Sequence, residues 1–555
     1  MKHSRFANAI LTALLVLFIS AMPLHAQEKA FHILTLNDPH SNILPMKGAD
    51  RAGAELKDVK ITKEGGMTRA IYLINREKKI IAKDSDAPIF LFEGGDIVLG
   101  LKGGLQGGHA EYEGLAVNGF DAGVLGNHEF DCGIDLLADI GRNLKFPVLA
   151  SNIKFTSPDV ENFYSKSIII ERDGVKIGLF GLVTPELKSL ENSSVEFEVD
   201  TDIEKCAAKY VAELRAKSVD CVVALTHIGL ELDKKLAASV PGIDIIIGGH
   251  SHDALKNAVI VKNSRSRTII GQAGLDGRFA GRLDAVVDNG RLVPEKCSWK
   301  LLTVKNETRS EPKSQRLGIE GMRRNAEAIG SAKTSLCNLK LSVDVAKEST
   351  RSRENAMGSF LCDAMCSTAG TKIGMINGGA LRSTKIIAPG NFCVSDLFDL
   401  MPFDSKISKV SVTGLEIRKQ LEMSASSLVG PNDNFDWNTR MYNGEFLQVT
   451  GIRFDIDLLG KPALVDGRKF KEMGNRVKNI TVNTEDGWQP LDDSKIYEVA
   501  ALDYTVKFWD KKSETILPQP AQTHFAQYMA SFKKPISLTT DGRINIINGE
   551  KNAEE

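Results

Sequence analysis

At 555 residues, with 42% apolar and 25% charged side chains, the chain is too long for one hydrophobic core and has the make-up of a globular protein of roughly two to four domains. Its formal net charge of −1 excludes a protein that grips a nucleic-acid polymer through a basic stripe, so any phosphate recognition must be local. The eight cysteines (Cys132, Cys206, Cys221, Cys297, Cys337, Cys362, Cys366 and Cys393) are spread thinly without a C-x-x-C pair, which argues against a disulfide framework or a zinc finger.

The N-terminus reads as an address. Lys2 and Arg5 precede an apolar stretch at 9–19, and small residues follow up to Ala26. This layout predicts a secretory signal peptide over residues 1–26 and an exported protein, periplasmic or secreted. The apolar run is shorter than the roughly 20 residues that cross a bilayer, and no later segment reads as a membrane span.

Up to residue 305, strand-like and helix-like patterns alternate. Runs rich in Val and Ile at 31–36, 88–92, 121–125, 175–182, 221–225 and 243–247 are bounded by Gly, Pro or Asp, as buried strands of an α/β protein are. Between them, Ile203, Ala207, Tyr210, Val211 and Leu214 repeat on one face of a helix at 203–216. Residues 283–287 and 299–304 are expected as closing strands. The polar stretch 306–333 predicts an interdomain connector with a solvent-exposed helix at 317–329. The alternation then resumes, with a helix at 357–368 and strands at 373–376, 407–412, 446–457, 477–483 and 497–502. Thr413-Gly414-Leu415-Glu416 is a capping box that opens a helix through Leu421. The charged tail 549–555 is expected to fray.

The chemistry sits just beyond the strands. Asn37-Asp38-Pro39-His40, Gly94-Gly95-Asp96, Gly126-Asn127-His128-Glu129, Thr226-His227 and Gly248-Gly249-His250-Ser251-His252 each follow an apolar run. Ligands of α/β sheets gather beyond the carboxyl ends of strands, so one sheet edge can collect all five loops. Five of the ten histidines fall in these segments, a concentration that general packing does not produce. Two Asp, one Asn and four His make a mixed oxygen and nitrogen donor set, with His128 left over. That is about what two divalent ions need when one carboxylate bridges them. Asp38-x-His40 or His250-x-His252 alone is weak; the ordered combination is the signal.

This ordered set resembles the calcineurin-like metallophosphoesterases. Gly65-Gly66-x-x-Arg69, and Gly-Asn-His-Glu-Phe-Asp-x-Gly at 126–133, are similar to the exported 5′-nucleotidase and UDP-sugar hydrolase family within them. The likeness continues through Arg353-Glu354, Met357-Gly358, Asn377-Gly378-Gly379, Pro402-Phe403 and Gly444-Glu445-Phe446. It implies a two-domain α/β fold: a four-layer α/β/β/α metallophosphoesterase sandwich at 27–305, a connector helix at 306–333, and an α/β 5′-nucleotidase-type substrate domain at 334–555.

The resemblance also implies a site. Asp38, His40, Asp96 and His252 would hold one divalent ion, and Asp96, Asn127, His227 and His250 the other; the donors suit Zn, Mn, Fe or Co. His128, oriented by Asp131, would donate to the phosphoryl group or the leaving oxygen. In the second domain Arg353 and Arg382 are implied on the phosphate, whose oxygens a guanidinium fork fits. Asn377 and Gly379 are implied beside the base or ribose, Phe403 and Tyr504 around the base, and Asp510 stands where the family has an Asp. Two departures bear on that pocket. Phe508 and Trp509 replace family glycines and are expected to reshape it, and Ala380 replaces another. The implied activity is phosphate release from nucleoside 5′-monophosphates, small-molecule phosphoesters. The alternatives are UDP-sugar, cyclic-nucleotide or 3′-nucleotide hydrolysis, a related ester hydrolysis such as that of the thiosulfohydrolases, or non-catalytic nucleotide binding.

Overall fold

A computed structural model describes residues 28–548, apart from 51–59, 100–107, 132, 188–196, 264–265, 329–333, 383–385, 404, 432–443 and 467–468. The signal peptide expected at 1–26, Cys132, the end of the connector and the tail 549–555 lie outside the described residues.

Period-two alternation builds the layers of the first half. In strand Lys29–Leu36, Phe31 and Ile33 enter one core while Leu34 and Leu36 enter another. In strand Cys221–His227, Cys221, Val223 and Leu225 join Phe31 and Ile33. Val222 and Ala224 instead pack under helices Ile203–Ala216 and Leu230–Ser239. Helix Met67–Asp84 covers Leu34 and Leu36 on the far side. Two sheets therefore share an inner core and carry helices outside, the four-layer α/β/β/α order.

One sheet runs in the order Val259–Lys262, Arg267–Gln272, Ile245–Gly248, Cys221–His227, Val175–Val183, Ser167–Arg172, with its four inner strands parallel. In the other, Lys29–Leu36 lies between parallel Ile89–Glu93 and antiparallel Phe279–Asp288, which also pairs with Ser298–Thr303. The strand expected at 121–125 shrinks to Gly123–Val124. Parallel pairing puts the carboxyl ends of these strands on a common edge.

The connector contains the expected helix, exposed at Ile319 and Arg324, but its other face is covered. Helix Pro312–Ala328 begins before residue 317 and is docked, with Glu311, Ser314 and Gly318 buried along one face. Asn118 Nδ2 donates to Ser314 Oγ at 2.8 Å, and a Cβ on Gly321 would lie 3.0 Å from the Ala110 Cβ. Arg69, only 1% exposed, donates to the carbonyls of Thr308 (2.9 Å), Asn306 (2.8 Å) and Lys305 and so clamps the segment that leads into the helix. Small and polar residues form this buried stripe, so hydrophobic periodicity carries no trace of it.

The second half contains a five-stranded sheet ordered Leu447–Thr450, Ile373–Asn377, Ile496–Leu502, Lys406–Thr413, Ser513–Pro520. A four-stranded sheet is ordered Gly487–Pro490, Val477–Thr484, Ile452–Asp457, Ile544–Ile547. The single strand expected at 446–457 is two strands in different sheets. Gly451, at φ +70°, turns the chain between them, and a Cβ there would sit 1.9 Å from the Lys372 carbonyl oxygen. Helix Gly414–Ala425 is capped by Thr413 Oγ1, which accepts from the Glu416 N–H at 3.2 Å. Among the described residues the cysteines, Cys362 and Cys366 included, are free thiols, and no helix is long and apolar enough to cross a membrane.

Candidate metal centre and substrate face

Loops beyond strands Lys29–Leu36, Ile89–Glu93, Gly123–Val124 and Ile245–Gly248 bring Asp38, His40, Asp96, Asn127, His250 and His252 together with His227, the last residue of Cys221–His227. The backbone is bent hard to do it. Asp38, His40, Ser41, Asp96, His250 and His252 have φ between +50° and +78°, six of the twelve non-glycine residues with positive φ among those described. Such conformations cost roughly 1–3 kcal/mol each and cluster at functional sites, where the surrounding structure over-determines them. The motif glycines make room. A Cβ on Gly126 would lie 2.1 Å from Asp96 Oδ1, and one on Gly249 would lie 2.9 Å from His227 Nδ1.

Three overlapping groups have ligand atoms within 4.8 Å of one another: Asp38, His40 and His252; His40, Asp96 and His128; Asp96, His227 and His250. Asp96 and His40 are the shared members. His252 Nε2 lies 3.3 Å from Asp38 Oδ1, and His40 Nε2 lies 3.4 Å from Asp96 Oδ2. His250 Nδ1 lies 2.9 Å from Asn127 Oδ1. Outer groups orient this set. Asn37 Nδ2 donates to Asp38 Oδ2 at 2.6 Å, and the carbonyl of Gly94 lies 2.8 Å from His227 Nδ1, which turns Nε2 inward. The buried Glu129 carboxylate accepts from the N–H groups of Gly126 (2.7 Å) and Ile97 (2.8 Å), tying the Asp96 loop to the Asn127 loop.

The electrostatics are those of a place prepared for positive charge. Burial opposes protonation of His40 and His227, yet Asp276 and Asp96 push His40 up to about 9, and Asp96 and Asp38 push His227 up to about 10. Burial, with the charge on His227, pushes His250 down to about 3. Burial would raise Asp96, but His227 and His128 hold it well below the usual carboxylate range. The rise of both imidazoles follows from the paired carboxylates, which favour positive charge at this place. His227 Nε2 is buried and points at Asp96 Oδ2, 3.0 Å away. An inward-facing imidazole nitrogen among carboxylates is a metal donor in waiting, and the residues present fit divalent ions.

His128 stands at the rim of this set. Its Nδ1 lies 2.9 Å from Asp131 Oδ2, its Nε2 lies 3.9 Å from Asp96 Oδ2, and its N–H donates to Asp96 Oδ1 at 2.9 Å. From the other half of the chain, Phe403 stacks on the His128 ring with centroids 5.9 Å apart, and the Arg382 guanidinium lies 5.1 Å over the Phe403 ring. Arg382 Nε donates to the Gly379 carbonyl at 3.0 Å. Burial lowers the Arg382 pKa, while Asp131, Tyr504 and Asp96 pull it back, so this cation faces both the metal loops and Tyr504.

The other residues expected on this face lie at different depths. The Arg353 side chain is 60% exposed and lies 3.6 Å from Asp344. Arg351, two residues earlier, is the more buried of the two: burial and the neighbouring charge of Arg382 push it down to about 9. Both arginines follow the short helix Lys347–Thr350 in a turn, where residues two apart need not face one way. The repeated arginine in Arg351-Ser352-Arg353 was the available signal. Asn377 is buried between protein groups. Its Oδ1 accepts from Thr505 Oγ1 at 2.9 Å and its Nδ2 donates to the Gly444 carbonyl at 3.2 Å, so it joins three loops. The Gly379 N–H donates to the same carbonyl at 2.8 Å. Trp509 is a core residue. It is 7% exposed and packs in the core with Ile417, Leu421 and Val506, while Phe508 is 40% exposed beneath the Lys507 ammonium. Asp510 is exposed, and its N–H donates to Glu416 at 3.2 Å.

Comparison with known proteins accords with this geometry. Residues 31–254 match the calcineurin-like phosphoesterase family, and residues 328–513 match the 5′-nucleotidase C-terminal domain. The trifunctional nucleotide phosphoesterase protein YfkN of Bacillus subtilis is 27% identical over 440 residues, covering 72% of this chain but only 29% of that longer protein. A 5′-nucleotidase of Diplobatis ommata is 28% identical over 434 residues, 71% of this chain and 69% of that one. The crystal structure of a 5′-nucleotidase precursor from Thermus thermophilus superposes with a TM-score of 0.75 at 25% identity, covering 94% of this chain and 99% of the other. With both halves matched in order, this chain belongs to the phosphoesterase family that joins a calcineurin-like domain to a 5′-nucleotidase C-terminal domain.

Proposed function

We propose that the chain is an exported, metal-dependent phosphohydrolase that releases phosphate from nucleoside 5′-monophosphates. The observation that carries this reading is the convergence of Asp38, His40, Asp96, Asn127, His227, His250 and His252, with His227 Nε2 buried 3.0 Å from Asp96 Oδ2. In this reading Asp38, His40, Asp96 and His252 hold one divalent ion, and Asp96, Asn127, His227 and His250 hold a second, with Asp96 shared. Such an ion pair lowers the pKa of a bound water and neutralises phosphoryl oxygens when present.

The chain's own residues supply the remainder. Asp131 fixes the His128 ring through Nδ1, which leaves Nε2 on the Asp96 side to pass a proton to the phosphoryl or leaving oxygen. Arg382, with Arg351 beside it, offers planar guanidinium forks to the phosphate. Phe403 and Tyr504 offer aromatic faces to the base. In this scheme the catalytic half spans 27–305, the substrate half spans 334–555, and residues 306–333 join them. Export rests on Lys2, Arg5 and the apolar run at 9–19.

Phosphate release from AMP, UDP-glucose, a 3′-nucleotide and ribose 5-phosphate, with and without a chelator, tests the reading. AMP should be hydrolysed fastest and the chelator should abolish turnover. Full activity after exhaustive metal removal would overturn the metal assignment, and preference for another ester would overturn the substrate.

A further inference from the structure

Gln448 is fully buried on strand Leu447–Thr450, and its side-chain amide is engaged on both sides. Its Nε2 donates to two main-chain carbonyls, Thr350 O and Arg353 O, each at 2.8 Å, and its Oε1 accepts the Asn355 N–H at 2.8 Å. These partners bracket Arg351 on both sides. Thr350 ends the short helix Lys347–Thr350 and Arg353 lies in the turn after it, so neither carbonyl has a helical partner and both need donors from elsewhere.

The surroundings are cut to fit this amide. A Cβ on Gly358 would lie 2.5 Å from Gln448 Cγ, so helix Ala356–Ala369 comes close only because residue 358 lacks a side chain. Asn355 completes the frame: its Oδ1 accepts from the N–H groups of Met357 and Gly358 at 3.1 Å, and its Nδ2 donates to Asp344 O at 2.7 Å and Ser349 Oγ at 2.9 Å. On the far side, a Cβ on Gly378 would touch both the Thr350 carbonyl (2.3 Å) and Arg351 Cγ (3.2 Å), so the Asn377-Gly378-Gly379 turn closes over the arginine stem.

We propose that Gln448 is a positioning residue for substrate binding: its two donated hydrogen bonds hold the turn that aims the Arg351 guanidinium beside Arg382. It touches no substrate and acts through Arg351. A buried amide that spans two carbonyls has few alternative arrangements, because releasing either carbonyl leaves a polar group without a partner. The proposal rests on the reading that Arg351 binds the phosphate.

A double-mutant cycle on the full-length metal-loaded enzyme tests it. Gln448→Leu should raise KM for AMP, and the Ki of inorganic phosphate as a competitive inhibitor, by on the order of tenfold, the scale of an unsatisfied buried carbonyl. Turnover number and metal content should stay near wild type. Arg351→Gln should raise both constants at least as much, and adding Gln448→Leu to Arg351→Gln should change them less than twofold. An equal loss in both backgrounds would overturn the positioning role, because a merely structural defect does not need the arginine. If Arg351→Gln alone changes neither constant, the phosphate role of Arg351 fails instead, and the positioning role fails with it. Should Gln448→Leu not fold, Gly358→Ala displaces the Gln448 side chain while keeping all its polar atoms. It should reproduce the KM rise in the wild-type background only, and a rise independent of Arg351 would count against the proposal.

Discussion

His128 and Phe403 stack across the two halves of the molecule, their ring centroids 5.9 Å apart and their planes 29° apart. An aromatic residue assigned by family resemblance to the base thus also covers the imidazole assigned to the leaving group. The two roles are separable. If the ring stacks on a base, Phe403→Ala should lower kcat/KM for AMP by roughly 5- to 150-fold, equivalent to 1–3 kcal/mol of stacking, and should spare ribose 5-phosphate. If its main role is to pack His128, both substrates should lose equally. Paired kinetics on the two phosphoesters decide between the roles.

Asp96 contributes to two of the three ligand groups and approaches His40, His227 and His128. Asp96→Ala should therefore cost at least one bound metal ion per chain and reduce hydrolysis to background. Elemental analysis of the purified variant checks it, and two ions retained per chain would remove the bridging assignment.

His128→Ala should lower turnover by roughly 10²- to 10⁴-fold, the range for a lost general acid, with metal content intact. Asp131→Asn should lose less, because a neutral amide still meets Nδ1 but holds the imidazolium more weakly. Loss of metal in His128→Ala with normal residual turnover would reverse the assignment.

Arg353 extends into solvent beside Asp344. A side chain held only by an exposed ion pair adds little, so Arg353→Gln should leave KM for AMP within roughly twofold of wild type. A tenfold rise would return Arg353 to the phosphate site.

A pH effect is expected far from the metal loops. Burial would raise the Asp284 carboxyl, but His32 Nδ1 at 2.5 Å and Arg282 Nε at 2.8 Å outweigh it and take the group from 3.8 down to about 2. A depressed carboxylate contributes stability that is present above its unfolded value and lost as pH falls through its folded one. Melting temperature should therefore fall between about pH 4 and pH 2 in part through Asp284. Asp284→Asn should be less stable at neutral pH and should flatten that part of the curve; an unchanged slope would exclude the contribution.

Much of the first half was legible because its signals are local. A buried strand is a short apolar run, and the polar residue that follows it marks the sheet edge. The elements misread from sequence fail for reasons that are just as specific. The connector docks through Ser314, Gly318 and Gly321, which carry no hydrophobic signal. The run at 446–457 is uniformly strand-like, yet Gly451 meets the Lys372 carbonyl and sends the chain into a second sheet. Trp509 reads as a pocket residue by position and is a core residue by packing.

By itself the sequence determined the family, the order of the metal-ligand motifs and the alternation of strand and helix, since each is written in adjacent residues and short periods. Tertiary structure alone decided which of two arginines is the more buried, which aromatic residue meets His128, and how Gln448 reaches the Arg351 turn. Those outcomes depend on side-chain direction across contacts between segments far apart in the chain. A one-dimensional pattern names the residue at each position but not the direction in which a turn aims it.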